Sequence, residues 1–296
     1  MSAAEQSASA FAAHDVRKSF GRLVVLDGLT LNVPRGCVLG LLGENGSGKT
    51  TLLKILLGLF PADAGSVSIA GEPSAALPPE VRSRIGYVAQ ASDQFRWLTG
   101  KAMLAYVGSF FPTFDADYAH ALAARWRISL RTPIEVLSPG QQQRLSIVRA
   151  LSTRPDLLIL DEPIASIDPA TRIEIIEELL AVTMEREATV IFSSHITGDL
   201  ERLCSHFAVM AAGKVAFLEA TSVIRTFVRV VVRGDEARLS EARFASALHV
   251  RKSRDGERML VVAEARAQSL LESLSAGCTA ETQAASIETS LTEWMR

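Results

Sequence analysis

Apolar positions along the chain fall into two alternating rhythms. Residues 38–42 (Val-Leu-Gly-Leu-Leu), 157–160 (Leu-Leu-Ile-Leu) and 190–193 (Val-Ile-Phe-Ser) are short runs with little polar interruption. They are too short for helices and predict strands buried on both faces, as in a parallel sheet. Between them lie stretches with helical spacing. Residues 51–59 carry Leu52, Leu53, Leu56 and Leu59, and residues 101–128 are helical in pattern with Pro112 as a break. A helix from Ser138 runs through Leu145, Val148 and Leu151, and residues 169–183 place Ile173, Ile176 and Leu180 on one face. Residues 16–20, 23–25, 29–33, 65–69 and 85–89 read as further strands. Residues 207–210 and 215–218 flank Gly213 as a hairpin. Strand and helix patterns in alternation predict an α/β domain.

After residue 220 the character changes. A β-branched strand at 226–233 precedes two strands, 248–251 and 258–262, which flank Asp255-Gly256, a strong hairpin signal. Helical patterns follow around Leu270, Leu271 and Leu274, and at Ile287, Leu291, Trp294 and Met295. The predicted organisation is a tail at 1–12, an α/β domain at 13–220 and a small α+β appendage at 221–296. The closing helix has an apolar face whose simplest use is packing on its own appendage, the alternative being contact with another chain, a second copy or a membrane partner.

Composition narrows the classes. The 296 residues are 48% hydrophobic with a net charge of -2, enough for a large core and without the broad basic footprint of a nucleic-acid binder. Cys37, Cys204 and Cys278 are far apart and form no metal-spaced pair, which fits a reducing cytoplasm. The first ten residues lack the basic head and apolar centre of a signal peptide, and no uncharged stretch approaches the length of a membrane span.

The chemistry is concentrated where predicted strands end. Residues 43–50 read Gly-Glu-Asn-Gly-Ser-Gly-Lys-Thr, a complete phosphate-binding loop between a strand and a helix. Its glycines let backbone amides turn toward a polyphosphate, and the following helix adds its positive end. Lys49 places a point charge on the phosphates, and the Thr50 hydroxyl can ligate Mg²⁺. The strand at 157–160 ends in Asp161-Glu162. At the carboxyl end of a parallel strand two acids would enter the ligand crevice. Asp161 can then hold Mg²⁺ through its water shell, and Glu162 can take a proton from an attacking water. Leu137-Ser138-Pro139-Gly140-Gln141 opens a helix with Ser138 as cap, Pro139 at the favoured first position and Gln141 completing a capping box.

Together these parts resemble the ATP-binding cassette (ABC) family from about Val16 to Glu219, whose fold is a RecA-like core with an antiparallel β subdomain and a helical subdomain. Residues 137–141 match its Leu-Ser-Gly-Gly-Gln signature, Asp161 and Glu162 its Walker B acids, and Gln90 its Q-loop glutamine. Ser166-Ile167-Asp168-Pro169 matches its D-loop, His195 its switch histidine, and Phe20 its adenine-stacking aromatic. Two departures stand out: Pro139 replaces the first signature glycine, and Ile167 the usual leucine.

The resemblance implies an ATPase in which two cassettes face head to tail and close around two ATP. Gly43, Asn45, Gly46, Ser47, Gly48, Lys49, Thr50 and Thr51 would hold the phosphates, with Ser138, Gly140 and Gln141 supplied from the opposite cassette. Thr50, Gln90 and Asp161 would serve Mg²⁺, with Glu162 as base. His195 would contact the γ-phosphate, Asp168 would communicate across the dimer, and Phe20 would stack on adenine. It further implies a second nucleotide-binding subunit, a homodimer in the simplest case, and a separate transmembrane permease, with the chain on the inner face of the cell membrane. Phe95 and Trp97, just after the Q-loop, would either face a helix of that permease or pack within the helical subdomain. Residues 110–115 and 285–291 look like bacterial ABC-2-type exporter ATPases. A soluble cassette acting on DNA or ribosomes is the competing reading. Chromosome-maintenance members carry a long coiled coil, absent between Gln90 and Ser138, and translation factors carry two cassettes in one chain. A kinase or small GTPase would leave the signature, the D-loop and His195 unexplained.

Overall fold

The computed structural model describes residues 9–90, 95–164, 167–194, 200–233, 247–252, 257–273 and 279–295. Fourteen strands, numbered here in chain order, form three sheets among these residues. The first holds β1 (Ser9–Phe20), β2 (Leu23–Pro34), β4 (Ala64–Ile69) and β5 (Glu72–Pro73), all antiparallel. The central sheet has six strands in the order β10-β9-β3-β8-β7-β6: β3 (Val38–Leu42), β6 (Ile85–Val88), β7 (Leu157–Asp161), β8 (Thr189–Ser194), β9 (His206–Ala211) and β10 (Lys214–Ala220). Only β10 runs antiparallel to its neighbour. The third sheet, order β12-β13-β11-β14, is built from β11 (Phe227–Arg233), β12 (His249–Lys252), β13 (Arg258–Ala263) and β14 (Thr279–Ala284).

The central sheet explains the continuous apolar runs. One of its faces, with Leu39, Leu41, Leu157, Ile159 and Ile191, packs on the phosphate-loop helix Lys49–Leu56 and the first sheet. The other, with Val38, Leu42, Leu158, Leu160, Val190 and Phe192, packs on the helices Pro139–Ser152 and Pro169–Arg186. Both faces are therefore dry, and alternation disappears from the sequence. The order also brings the carboxyl ends of β3, β6, β7 and β8 to one edge. The segments that leave that edge contain the phosphate loop, Gln90 and Glu162.

Several expectations need correction. Residues 9–12 belong to β1 and not to a tail: Phe11 is buried, opposite Val33 on one side and Ile69 on the other. Small alanines around a single Phe hid this strand. Residues 23–25 and 29–33 form one strand, not two. It pairs with β1 across irregular register steps near Asp15 (φ 47°) and Gly28 (φ 75°), and such bulges break the alternation a strand normally shows. The phosphate-loop helix ends at Leu56, and Leu59 is exposed beyond Gly58, which has φ 69°. On Pro169–Arg186 the buried stripe is Ile175, Ile176, Leu179 and Val182, whereas Ile173 faces out. β14 (Thr-Ala-Glu-Thr-Gln-Ala) was not expected, because it has almost no apolar pattern. The hairpin β9–β10 turns through Ala212 and Gly213, both at positive φ, as a two-residue turn requires.

The closing helix Ile287–Met295 does more than cover its own appendage. Ile287, Leu291 and Trp294 join the main core with Leu203, Phe207, Ile224 and Phe227. Trp294 lies 4.4 Å from Phe217 of β10 and 6.3 Å from Phe227 of β11, measured between ring centroids. The helix thereby sits against both the central and the third sheet. The helix Glu264–Ser273 covers the opposite face of the third sheet with Ala267 and Leu270 against Val230, Val232, Leu260 and Val262. The turn at Asp255-Gly256, Leu274 and Cys278 lie outside the described residues.

Candidate nucleotide site

The phosphate loop wraps around its own lysine. Lys49 Nζ donates to the carbonyl oxygens of Gly43 (2.7 Å) and Glu44 (3.1 Å), and lies 3.8 Å from Glu162 Oε1. Lys49 is 6% exposed, and burial lowers its pKa, opposed by the charges of Glu162 and Asp161. Two of the loop glycines, Gly43 and Gly48, are sterically required. A Cβ on Gly43 would stand 2.5 Å from Ser47 Oγ and 2.6 Å from Met210 O; Gly48, at φ 101°, would press on Leu26. Asn45 and Gly46 are exposed at the loop tip, Ser47 is buried, and Thr50 and Thr51 are half-buried on the first helical turn. The loop thus offers its outer rim to an anion while its base is locked between β3, β2 and β9.

Asp161 and Glu162 lie beside Lys49 as expected. Asp161 is fully buried; its Oδ1 accepts from Ser193 Oγ at 2.7 Å, and its Oδ2 is buried without a hydrogen-bond partner. A buried carboxylate oxygen with no donor is costly unless a cation or its water shell reaches it. Mg²⁺ typically takes one or two protein carboxylates plus phosphate oxygens and waters, so Asp161 with the Thr50 hydroxyl fits that ion. Among the described residues no group of three or more His, Cys, Asp or Glu is placed to hold a metal ion. Glu162 has φ 48°, and its amide donates to both Ser193 Oγ (3.0 Å) and Ser193 O (3.2 Å). The buried Asp161 also helps raise the Tyr87 hydroxyl to about 12, after the larger effect of burial.

The helix at Pro139–Ser152 starts as expected. Ser138 Oγ accepts from the Gln141 amide (3.3 Å), and Gln141 Oε1 accepts from the Ser138 amide (3.0 Å). Pro139 occupies a first-turn position, where a missing N–H breaks no intrahelical bond. Ser138 and Pro139 are exposed, and Gly140 and Gln141 half-buried. Arg144 Nε donates to Gly140 O at 3.3 Å, and its charge contributes to lowering the pKa of Asp168. The main cause there is the Thr171 amide, which donates to Asp168 Oδ1 at 3.0 Å and makes Asp168 the cap of Pro169–Arg186. Ile167 is buried in the main core, so the exchange for leucine keeps an apolar anchor.

Phe20 ends β1 with its ring half out of the protein, edge-on to Phe60 (5.8 Å) and 5.5 Å from Lys18 Nζ. Gln90 follows β6 and is exposed. His195, Ser166 and residues 91–94 lie outside the described residues. Two links were not anticipated. Arg149 donates to Tyr87 O (2.9 Å) and Gln143 to Ala89 O (3.4 Å), so the signature helix grips the strand that delivers Gln90. Ser193 is the third unanticipated residue. Its signal was the pair of hydroxyls, Ser193-Ser194, closing an otherwise apolar strand.

A phosphate loop on a parallel sheet, an acid pair at the end of a strand one removed from it, and an antiparallel sheet carrying an aromatic define a P-loop nucleoside triphosphatase of the cassette type. Comparison with known proteins agrees. A family model for ABC transporters matches residues 26–165. The chain is 37% identical over 206 residues to Nod factor export ATP-binding protein I of Burkholderia lata, covering 68% of this chain and 67% of that protein. The protein of the same name from Cupriavidus metallidurans is 37% identical over 205 residues, with 68% and 67% covered. Among solved structures, an ATP-binding subunit of an ABC transporter superposes with a TM-score of 0.66 at 27% identity, over 73% of this chain and 92% of that one. A dimeric ATP-binding cassette in a post-hydrolysis state with ADP and Pi shares the fold, with a TM-score of 0.64 at 24% identity over 71% and 98%. The chain belongs to the ABC transporter family, as an ATP-binding subunit with ATPase activity.

Proposed function

We propose that this chain is the ATP-driven engine of an exporter, working on a separate membrane-embedded permease from the cytoplasmic face of the cell membrane. Two copies close head to tail around two ATP, each phosphate loop meeting the signature helix of the other. The observation that carries this reading is the split character of the site. Lys49, Asp161 and Glu162 are gathered and buried, whereas the capped start at Ser138 is complete, exposed and available to a second chain.

In this reading Lys49 and the amides of residues 46–51 hold the phosphates, with Gly43 and Asn45 shaping the loop. Thr50, Gln90 and Asp161 hold Mg²⁺, which neutralises phosphate charge when bound. Glu162 accepts a proton from the attacking water, and His195 contacts the γ-phosphate. Phe20 stacks on adenine. Ser138, Gly140 and Gln141 contact the nucleotide bound by the other copy, and Asp168 couples the two sites. Phosphoryl transfer depends mainly on positioning and charge neutralisation, and a half-site lacks part of both.

Among the described residues no helix is long and apolar enough to cross a membrane. A surface feature supports a membrane partner. Trp97, Phe95, Tyr106 and Phe110, in that order, form an exposed edge-to-face series with ring centroids 5.6, 5.2 and 5.2 Å apart. Trp97 is 72% exposed, so core packing does not account for it. An aromatic stripe of this kind suits the apolar side of a docking helix. The relatives named for export support the direction of transport.

Replacing Glu162 by Gln tests the core of the reading. The variant should bind ATP normally and hydrolyse it about 100-fold more slowly or worse. Near-normal turnover in a steady-state phosphate-release assay would remove Glu162 from the role of base.

A further inference from the structure

The register of the central sheet places Ser193 of β8 directly opposite Asp161 of β7. Leu157 and Ile159 on β7, and Ile191 on β8, point toward the phosphate-loop helix. Side chains alternate along a strand, so Asp161 and Ser193 come next on that same face, the one that carries Lys49. Ser193 is fully buried, and its hydroxyl has two partners. It donates to Asp161 Oδ1 at 2.7 Å and accepts from the Glu162 amide at 3.0 Å. A hydroxyl has one proton and two lone pairs, so both bonds form at once. The first fixes the Asp161 carboxylate and leaves Oδ2 turned elsewhere. The second holds the left-handed backbone turn, φ 48°, that sets the direction of Glu162. One side chain thereby controls the geometry of both acids.

We infer that Ser193 is a positioning residue for ATP hydrolysis, whose single hydroxyl holds Asp161 in place for the cation and Glu162 in place for the attacking water. The inference rests on the roles given to Asp161 and Glu162 above. If the hydroxyl served folding alone, its removal would change stability and leave metal dependence and turnover untouched.

The test uses the full chain and a β-branched pair, Ser193→Thr and Ser193→Val, which add the same methyl group and differ in carrying a hydroxyl or a second methyl at the other branch. Three quantities are read: the Mg²⁺ dependence of affinity for a fluorescent ATP analogue, the turnover of ATP, and the thermal unfolding of the nucleotide-free protein. Ser193→Thr should follow the parent protein. Ser193→Val should need about tenfold more Mg²⁺ for tight binding and turn over about tenfold more slowly, the usual scale for removing a group that orients a metal ligand. Its affinity for the analogue without Mg²⁺ should match that of Ser193→Thr. Equal Mg²⁺ dependence and equal turnover in the pair overturn the inference, whatever their thermal stabilities. Should Ser193→Val fail to fold, Ser193→Ala against the parent makes the same comparison with one atom removed. Glu162→Gln, run alongside, separates the layers. Slow Glu162→Gln with an indistinguishable pair sinks Ser193 alone, and normal turnover in Glu162→Gln sinks the site assignment beneath it.

Discussion

Glu162 adopts a conformation that residues with a side chain rarely use, φ 48° at the end of a buried strand. Such strain, on the order of 1–3 kcal/mol, persists where surrounding structure over-determines it, and here the Ser193 hydroxyl and carbonyl do so. Pro139 is the opposite case, a residue that departs from the family pattern without strain. It stands on the first turn of its helix, and the capping box between Ser138 and Gln141 closes around it. Pro139→Gly should therefore change ATP turnover by less than about threefold, because a first-turn N–H has no intrahelical bond to restore. A gain of about tenfold or more would mean that the missing N–H was a phosphate donor. Legibility at this scale follows contiguity. The phosphate loop, the acid pair and the capping box are each consecutive residues, and each could be read directly. Ser193, Arg149 and Gln143 could not, since their importance depends on which strand lies beside which.

Elements were legible where their environment was uniform. The strands β3, β7 and β8 are dry on both faces and therefore read as unbroken apolar runs. The start of β1, the whole of β14 and the continuity of β2 were lost for three separate reasons: small residues, polar composition and bulges. The closing helix shows the limit of pattern reading most clearly. Its apolar face was visible in the sequence, but its target was not. Trp294 packs against Phe217 of the ATPase part as well as Phe227 and His249 of the third sheet. Trp294→Ala should cost about 3–5 kcal/mol, the range for emptying a buried aromatic site. Chemical denaturation with nucleotide absent measures this directly. A loss below about 1 kcal/mol would show that the helix is an ornament of the appendage and no part of the main core. A chain ending at Ala220 would carry the same penalty, so its failure to dimerise would say nothing about a dimer contact.

At the scale of the molecule, the central sheet sets its functional segments along one edge, and the signature helix ties that edge to the exposed aromatic face. Arg149 and Gln143 bond the carbonyls of Tyr87 and Ala89, immediately before Gln90, while Phe95 and Trp97 follow it. A rigid-body shift of this helix on closing against a second copy would move Gln90 and its neighbours with it. That is a physical route from nucleotide to partner, and it makes the permease the central element of the account. The most direct measurement is affinity capture of tagged Glu162→Gln from solubilised native membranes, with and without ATP, and identification of the companions by mass spectrometry. The account predicts a multi-span membrane protein whose recovery changes with ATP and falls when Trp97 is replaced by Ala. Recovery of ribosomal or DNA-associated proteins, with no membrane protein under either condition, would contradict it.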